Sequence, residues 1–318
     1  MTTDLQTKAP AVPSAAMGPM HPTPGLQGVP EALRVTGIKL VEALCRLLGR
    51  RVSDALLWIF SVHYALFSLS ARRASKAYLA RIGEEPSFAA VVRHIFHFVR
   101  VKIDRYLFLG EHTAQLDLEC FGGDSLKREG TRGAVLLGAH LGSLEAIRAI
   151  AEREKVPVNV LVADLRAAER MNGVLARLAP SLNFRLIALD PTRATSMLDV
   201  KERIDRGELV AILADRIPDK SDRTVEADFL GAKALFPTGP YLLAHMLHCP
   251  VYLVFGLLRE PNRYEVYVEL FADAIRLPRA TRAEALRTYS QKYADRIEAH
   301  ARKAPYNWFN FYDFWAAK

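Results

Sequence analysis

The stretch "GAVLLGAHLGSLEA", Gly133 to Ala146, decides the fold. A short apolar run stops at an imidazole, His140, and a carboxylate, Glu145, follows five residues later in what reads as the start of a helix. A brief continuous apolar run bounded by glycines is the pattern of a strand buried on both faces. The passage therefore predicts a strand, a bend at Gly142 and a helix from about 143.

Working outward, the alternation repeats. Runs at 133–139, 156–163, 184–189, 208–214, 249–258 and 264–270 read as strands. Segments near 143–154, 165–178, 194–206 and 239–248 read as helices between them. The last two strands are joined by "REPNR", a plausible hairpin turn. A final amphipathic helix begins near Thr281, where Thr281 and Glu284 have capping-box spacing. Strands alternating with helices predict an α/β fold, a mostly parallel mixed sheet flanked by helices. No internal repeat is evident.

Upstream the pattern differs. Residues 1–30 are rich in Pro, Ala, Thr and Gly without apolar periodicity and read as a disordered tail. Residues 31–110 read as a helical region, and 111–318 as the α/β domain. "ALLWIFSVHYALFSL", 55–69, is apolar but falls short of the roughly 20 residues of a membrane span. Arg50 and Arg51 precede it, and Arg72, Arg73 and Lys76 follow. This arrangement fits a helix lying at an anionic membrane surface, with a buried helical hairpin as the alternative.

The 318 residues carry a formal net charge of +8, which suits an anionic partner. With 50% hydrophobic residues the chain as a whole cannot be disordered. Cys45, Cys120 and Cys249 are far apart and form no CxxC, so neither a zinc cage nor a redox pair is indicated, and a reducing compartment is expected. His94 with His97, and His245 with His248, have helical ligand spacing but no third ligand nearby in sequence, so no metal is expected. The aromatic tail, 304–315, carries only the acidic charge of Asp313, which argues for packing and against nucleic-acid binding.

His140 stands at the carboxyl end of a strand, where open α/β sheets bind ligands. Within one helix His140 and Glu145 would be about 140° apart. With His140 before the helix and Glu145 in its first turn, the chain can fold back at Gly142. Glu145 would then accept a hydrogen bond from one ring nitrogen and leave the other as a general base for a hydroxyl. Backbone N–H groups near Gly142 and Ser143 are suited to an oxyanion. A Ser143–His140 nucleophile pair, hence a serine esterase or thioesterase, is an alternative. "GGDSL", 122–126, matches another hydrolase motif but lacks the D-x-x-H partner near the C-terminus. A non-catalytic membrane-surface protein is the third reading.

"GAVLLGAHLGSLEA" resembles the H-x4-D/E motif of the lysophospholipid acyltransferase superfamily, most closely the branch of bacterial lipid A late acyltransferases and their glycolipid and polyene-pathway relatives. Three further blocks follow in order. "ELVAILADRIP" (208–218) is similar to the strand ending in Asp-Arg. "FLGAKALFPTGPYLLAHMLHCPVYLVF" (229–255) is similar to the second substrate-binding block. "APYNWFNFYDFW" (304–315) is similar to the closing Pro-x-x-Trp-Phe segment.

The resemblance implies an O-acyltransferase that moves a fatty or polyene acyl chain from an acyl-carrier-protein or acyl-CoA thioester to a hydroxyl of a lipid or glycolipid. It implies His140 as base and Glu145 as its orienting partner. Gly142, Ser143, Asp215, Arg216, Lys233, Thr238 and Gly239 would contact substrate, Arg216 through a phosphate. It implies no metal, no organic cofactor and no acyl-enzyme. It also implies a location on the cytoplasmic face of the inner membrane, peripheral or monotopic.

Overall fold

The computed structural model describes residues 51–109, 116–124, 133–162, 169, 172, 184–188, 194–217 and 223–315. The proposed tail, most of the 165–178 segment and Ser125 of "GGDSL" lie outside these residues.

The apolar run around Leu136 forms strand β2, Val135–Gly142. Its side chains alternate between two cores, as period-2 geometry requires. Val135, Leu137, Ala139 and Leu141 enter one core; Ala134 and Leu136 enter the other. β2 therefore occupies the middle of a seven-stranded sheet.

The other members are β1 (Asp117–Phe121), β3 (Val158–Val162), β4 (Phe184–Ala188), β5 (Leu209–Leu213), β8 (Val251–Arg259) and β9 (Arg263–Ala272), in the order β1-β9-β8-β2-β5-β3-β4. β8, β2, β5, β3 and β4 run parallel, while β9 is antiparallel to β8 and carries β1 parallel to itself. The mostly parallel mixed sheet expected from the sequence is thus the observed one. Edge strand β1 and a separate hairpin, β6 (Thr224–Phe229) with β7 (Ala232–Pro237), were not anticipated. Both carry exposed, polar alternation in place of a buried apolar run.

Helices α1 (Arg51–Phe67), α2 (Leu69–Ile82), α3 (Phe88–Leu109), α4 (Leu144–Arg153), α5 (Ala194–Asp205), α6 (Gly239–Leu247) and α7 (Arg282–Lys303) cover the sheet. Val101 and Phe108 of α3 pack on the same face as Ala146, Ile147 and Ile150 of α4. Tyr293 of α7 packs on the opposite face and donates its hydroxyl to Gly138 O at 2.6 Å. Thr281 is the N-cap residue of α7, but its side chain makes no capping bond, so the expected capping box is not formed.

The α3 helix is tied to the β8–β9 hairpin. His97 and Arg93 hold Glu260 at 2.8 and 3.1 Å, and Arg100 bonds Asp54 of α1 at 2.8 Å and the carbonyl of Pro261. These contacts put α1 and α3 at the carboxyl end of β8, which is also the carboxyl end of β2.

Helix α1 is inverted relative to an ordinary surface helix. Ser53, Leu57, Ser61 and Ala65, spaced by four, face the protein. Leu56, Ile59, Phe60, Leu66 and Phe67 are exposed, Ile59 to 67% and Phe67 to 73%. Among the described residues no single helix is long and apolar enough to cross a membrane. The α1–α2 pair passes that test together, but is bent by 100°.

Candidate active site at the carboxyl end of β2

Two departures from regular pairing create the site. β5 accompanies β2 only as far as Leu213 opposite Gly138. On the other side, β2 pairs Gly138 with Val254 and next Gly142 with Gly256, so four steps of β2 match two of β8. The surplus residues form a bulge that holds His140. Bulges re-aim side chains beside ligand sites. Gly142 closes it at φ +76°, where a Cβ would overlap the carbonyl of Gly256. The closing segment of the chain seals the gap: Phe309 N–H donates to His140 O at 2.8 Å, and Leu141 bridges to Trp308.

His140 Nδ1 lies 2.8 Å from Asp215 Oδ1, and the backbone N–H of His140 donates to Asp215 Oδ2 at 3.0 Å. Asp215 follows β5 by two residues and is almost fully buried. Its burial opposes ionisation, but the His140 ring, the two hydrogen bonds and the charge of Arg216 bring its pKa down to about 2. An ionised Asp215 requires the proton on Nδ1, which leaves Nε2 with the lone pair. The His140 pKa is lowered from the ordinary 6.5, first by burial; Asp215 opposes the shift, and Arg216 and Lys102 reinforce it. His140 is thus neutral near pH 7, and its ring remains partly open to solvent.

Asn310 links the aspartate to its neighbour. Its amide nitrogen donates to Asp215 Oδ2 at 3.2 Å, and its carbonyl oxygen accepts from Arg216 Nε at 2.6 Å. Arg216 Nη2 also donates to Phe309 O at 2.8 Å. The guanidinium sits over the Tyr312 ring at 5.7 Å, within cation–π range.

The sequence-expected residues divide into those that meet here and those that do not. His140, Gly142, Asp215 and Arg216 converge. Glu145 is in the first turn of α4, but it does not orient His140. Its Oε1 bonds Arg105 Nε of α3 at 2.9 Å. The orienting carboxylate comes instead from the neighbouring strand, because the bulge turns Nδ1 toward β5.

Ser143 is the N-cap of α4: its buried Oγ accepts from Ala146 N at 3.1 Å, and its N–H donates to Gly256 O at 2.7 Å. Neither group is disposed as a nucleophile or an oxyanion donor. Lys233 is exposed on β7 and pairs with Asp228 at 3.0 Å. Thr238 donates its hydroxyl to Arg223 O at 3.1 Å, and both it and Gly239 are buried at the start of α6. No contact among the described residues joins these three to His140. Of the histidines with helical ligand spacing, His94 bonds Ser75 and Trp308 O, His245 bonds Ile275 O, and His97 bonds Glu260 through Nε2 while its buried Nδ1 has no hydrogen-bond partner among the described residues.

Sequence reasoning missed Asn310 and the orienting role of Asp215. The available signal was a charged residue directly after the apolar run "LVAILA", and two amides, Asn307 and Asn310, within an aromatic tail. Buried polar groups in such settings must have partners.

A search of curated proteins finds no match to this chain. The family model described as bacterial lipid A biosynthesis acyltransferase matches residues 85–316, which include both strands of the site and the closing segment. The chain therefore belongs to the bacterial lipid A biosynthesis acyltransferase family, whose activity is acyl transfer to a lipid acceptor.

Proposed function

We propose that the protein is an O-acyltransferase in which His140, oriented by Asp215, takes the proton of a lipid or glycolipid hydroxyl. The observation that carries this reading is the 2.8 Å contact between His140 Nδ1 and Asp215 within the span matched by the family. Nε2 accepts the hydroxyl proton as the oxygen attacks the thioester carbonyl of an acyl carrier protein or CoA donor. The tetrahedral intermediate collapses, the C–S bond breaks, and the imidazolium returns its proton to the departing thiolate. The products are the ester and the free thiol, with no acyl-enzyme.

A membrane-surface location belongs to the same proposal. Helix α1 turns large apolar side chains outward at the end of the sheet that carries His140. An interfacial helix would bring lipid to that end of the sheet. Flotation with phosphatidylglycerol vesicles tests this part: wild type should float, and the double variant Ile59→Glu, Phe67→Glu should stay with the soluble fraction. Equal flotation would rule it out.

Mass spectrometry of lipids from cells with the gene, without it, and with His140→Ala tests the chemistry. An acylated lipid present only with the wild-type gene is expected. Thioester hydrolysis to free acid with an unchanged lipid profile would overturn the transferase reading.

A further inference from the structure

At the amino end of β8, opposite to the end that carries His140, the surface opens into a pocket of about 690 Å³. Three segments wall it: the end of α6 with His245 and His248, the chain leaving β9 with Asp273, Arg276 and Arg279, and the start of α7 with Arg282. The backbone explains why these side chains meet. Ile275 and Leu277 are buried in the core, and the intervening Arg276 turns outward. The N–H of Arg276 donates to the hydroxyl of Tyr289 on α7 at 3.3 Å, and His245 Nδ1 bonds Ile275 O at 3.1 Å. Thr281 N–H donates to Pro278 O at 3.3 Å, a turn that carries the chain from Arg279 to Arg282. His245 and His248 meet edge to face, with ring centres 5.5 Å apart.

The arginines of this pocket differ from those elsewhere in the protein. Arg93, Arg105, Arg148, Arg259 and Arg296 each hold a carboxylate. Arg276, Arg279 and Arg282 are exposed, and their side chains make no hydrogen bond or ion pair among the described residues. Asp273 is the acidic group of the lining, and it too is unpaired among the described residues. Three guanidinium groups against one carboxylate make the lining positive with both imidazoles neutral. A concave surface of one sign concentrates its field and draws anions. Guanidinium forks match phosphate oxygens in pairs. The pocket is much larger than one inorganic phosphate and lies within the ordinary range of sites for organic ligands, about 300–1,000 Å³. Leu277, Pro278 and the two imidazoles supply apolar and ring surface for the remainder of such a molecule.

We propose that this pocket binds a soluble organic phosphate of nucleotide size, with Arg276, Arg279 and Arg282 holding its phosphate groups. A lipid headgroup offers the same chemistry, but the location favours the soluble source. The pocket and the outward apolar face of α1 lie at opposite ends of β8, a strand of nine residues and roughly 25–30 Å. The site is separate from His140 and does not rest on the transferase reading.

Isothermal titration of the full chain with ADP, inorganic pyrophosphate and short-chain phosphatidic acid tests the site. Wild type should bind ADP, and pyrophosphate more weakly. Arg276→Gln and Arg279→Gln should each weaken ADP binding about tenfold, the scale of one hydrogen bond to a charged group. Arg279→Lys should keep part of that affinity. Arg287→Gln, at an exposed position of α7 outside the pocket, should change nothing. Because the arginines have no protein partner to lose, the variants should keep the wild-type Tm without ligand. ADP should raise the Tm of wild type but not that of the double variant Arg276→Gln, Arg279→Gln. No binding of ADP by wild type, or equal affinity in the double variant, overturns the proposal. Binding of phosphatidic acid alone, or of pyrophosphate as tightly as ADP, overturns the assignment to a soluble organic phosphate. A His140→Ala protein should bind ADP as wild type does, so failure of the transferase chemistry and failure of this site are read separately.

Discussion

Asp215 grips His140 twice, through the ring at Nδ1 and through the backbone N–H, at 2.8 and 3.0 Å. One carboxylate thus sets both the position of the main chain and the tautomer of the imidazole. The residue that the H-x4-E spacing nominates, Glu145, is engaged by Arg105 instead. The two carboxylates should therefore respond differently to mutation. Asp215→Ala should lower kcat about 10²–10⁴-fold, the usual scale of losing an effective general base. Glu145→Gln should act through α3, loosening Arg105, with a smaller loss of kcat and a measurable fall in Tm. Thiol release from an acyl thioester in the presence of acceptor measures the first, and thermal unfolding the second. Equal collapse of kcat in both variants, with Tm unchanged, would return the orienting role to Glu145.

The acid limb of the pH–rate profile should lie below pH 6.5. His140 is held below the ordinary imidazole value, and protonation of Nε2 removes the base. Activity is present above the folded-state pKa and falls as pH drops through it. The charge of Arg216 helps to depress this value, so Arg216→Gln should move the limb upward. A profile of kcat/KM for the two proteins reads the sign directly.

Asn310 should prove to be a positioning residue. It joins Asp215 to Arg216 from a segment remote in sequence. Asn310→Ala would leave a buried carboxylate and a guanidinium each one partner short, a cost of about 1–3 kcal/mol in stability. Asn310→Asp places a second carboxylate beside Asp215 and should raise the apparent pKa of the acid limb, because negative charge favours imidazolium. A structural role alone would change Tm without moving the pH profile.

Gly142→Ala should be among the most damaging single changes. The residue sits at φ +76°, and an added methyl would meet the backbone of β8 at Gly256. Loss of several kcal/mol, on the order of 3–5, is expected from strain and the opened bulge. Denaturant unfolding checks it. Gly83→Ala has a similar backbone strain but open space around it, and should cost less.

Acid should unfold the protein partly through His94. This ring is fully buried, donates Nε2–H to Trp308 O at 2.9 Å and contacts Ser75 through Nδ1 at 2.8 Å. Burial, assisted by the charge of His97 and opposed by the Trp308 bond, lowers its pKa to about 3. The unfolded chain binds a proton near pH 6.5 and the folded chain does not. Stability from this group is therefore complete above pH 6.5 and is lost as pH falls toward 3, by up to about 5 kcal/mol. His94→Gln should lower stability at pH 7 and flatten the slope of stability between pH 6 and 4.

The strands were legible because they are buried on both faces. "AVLLGA", "LVAILA" and "VYLVFGLL" each read as a continuous apolar run, and each became an interior strand of the sheet. β1 and the β6–β7 hairpin escaped notice because one side of each is polar and exposed, which weakens any short pattern. The imidazole was legible for a related reason: a polar ring at the end of an interior strand has few ways to be accommodated without a partner.

By itself, then, the sequence determined the α/β class and the central strand and singled out His140, since these follow from local apolar pattern and strand-end placement. Only the tertiary structure decided which carboxylate meets the imidazole. Spacing along the chain proposes Glu145, but contact is a matter of space. The bulge between Gly138 and Gly142 rotates His140 toward β5, a strand 75 residues away in sequence, where Asp215 waits. No linear reading of residues encodes that rotation, because it arises from the mismatch of two paired strands and the glycines that let their backbones meet.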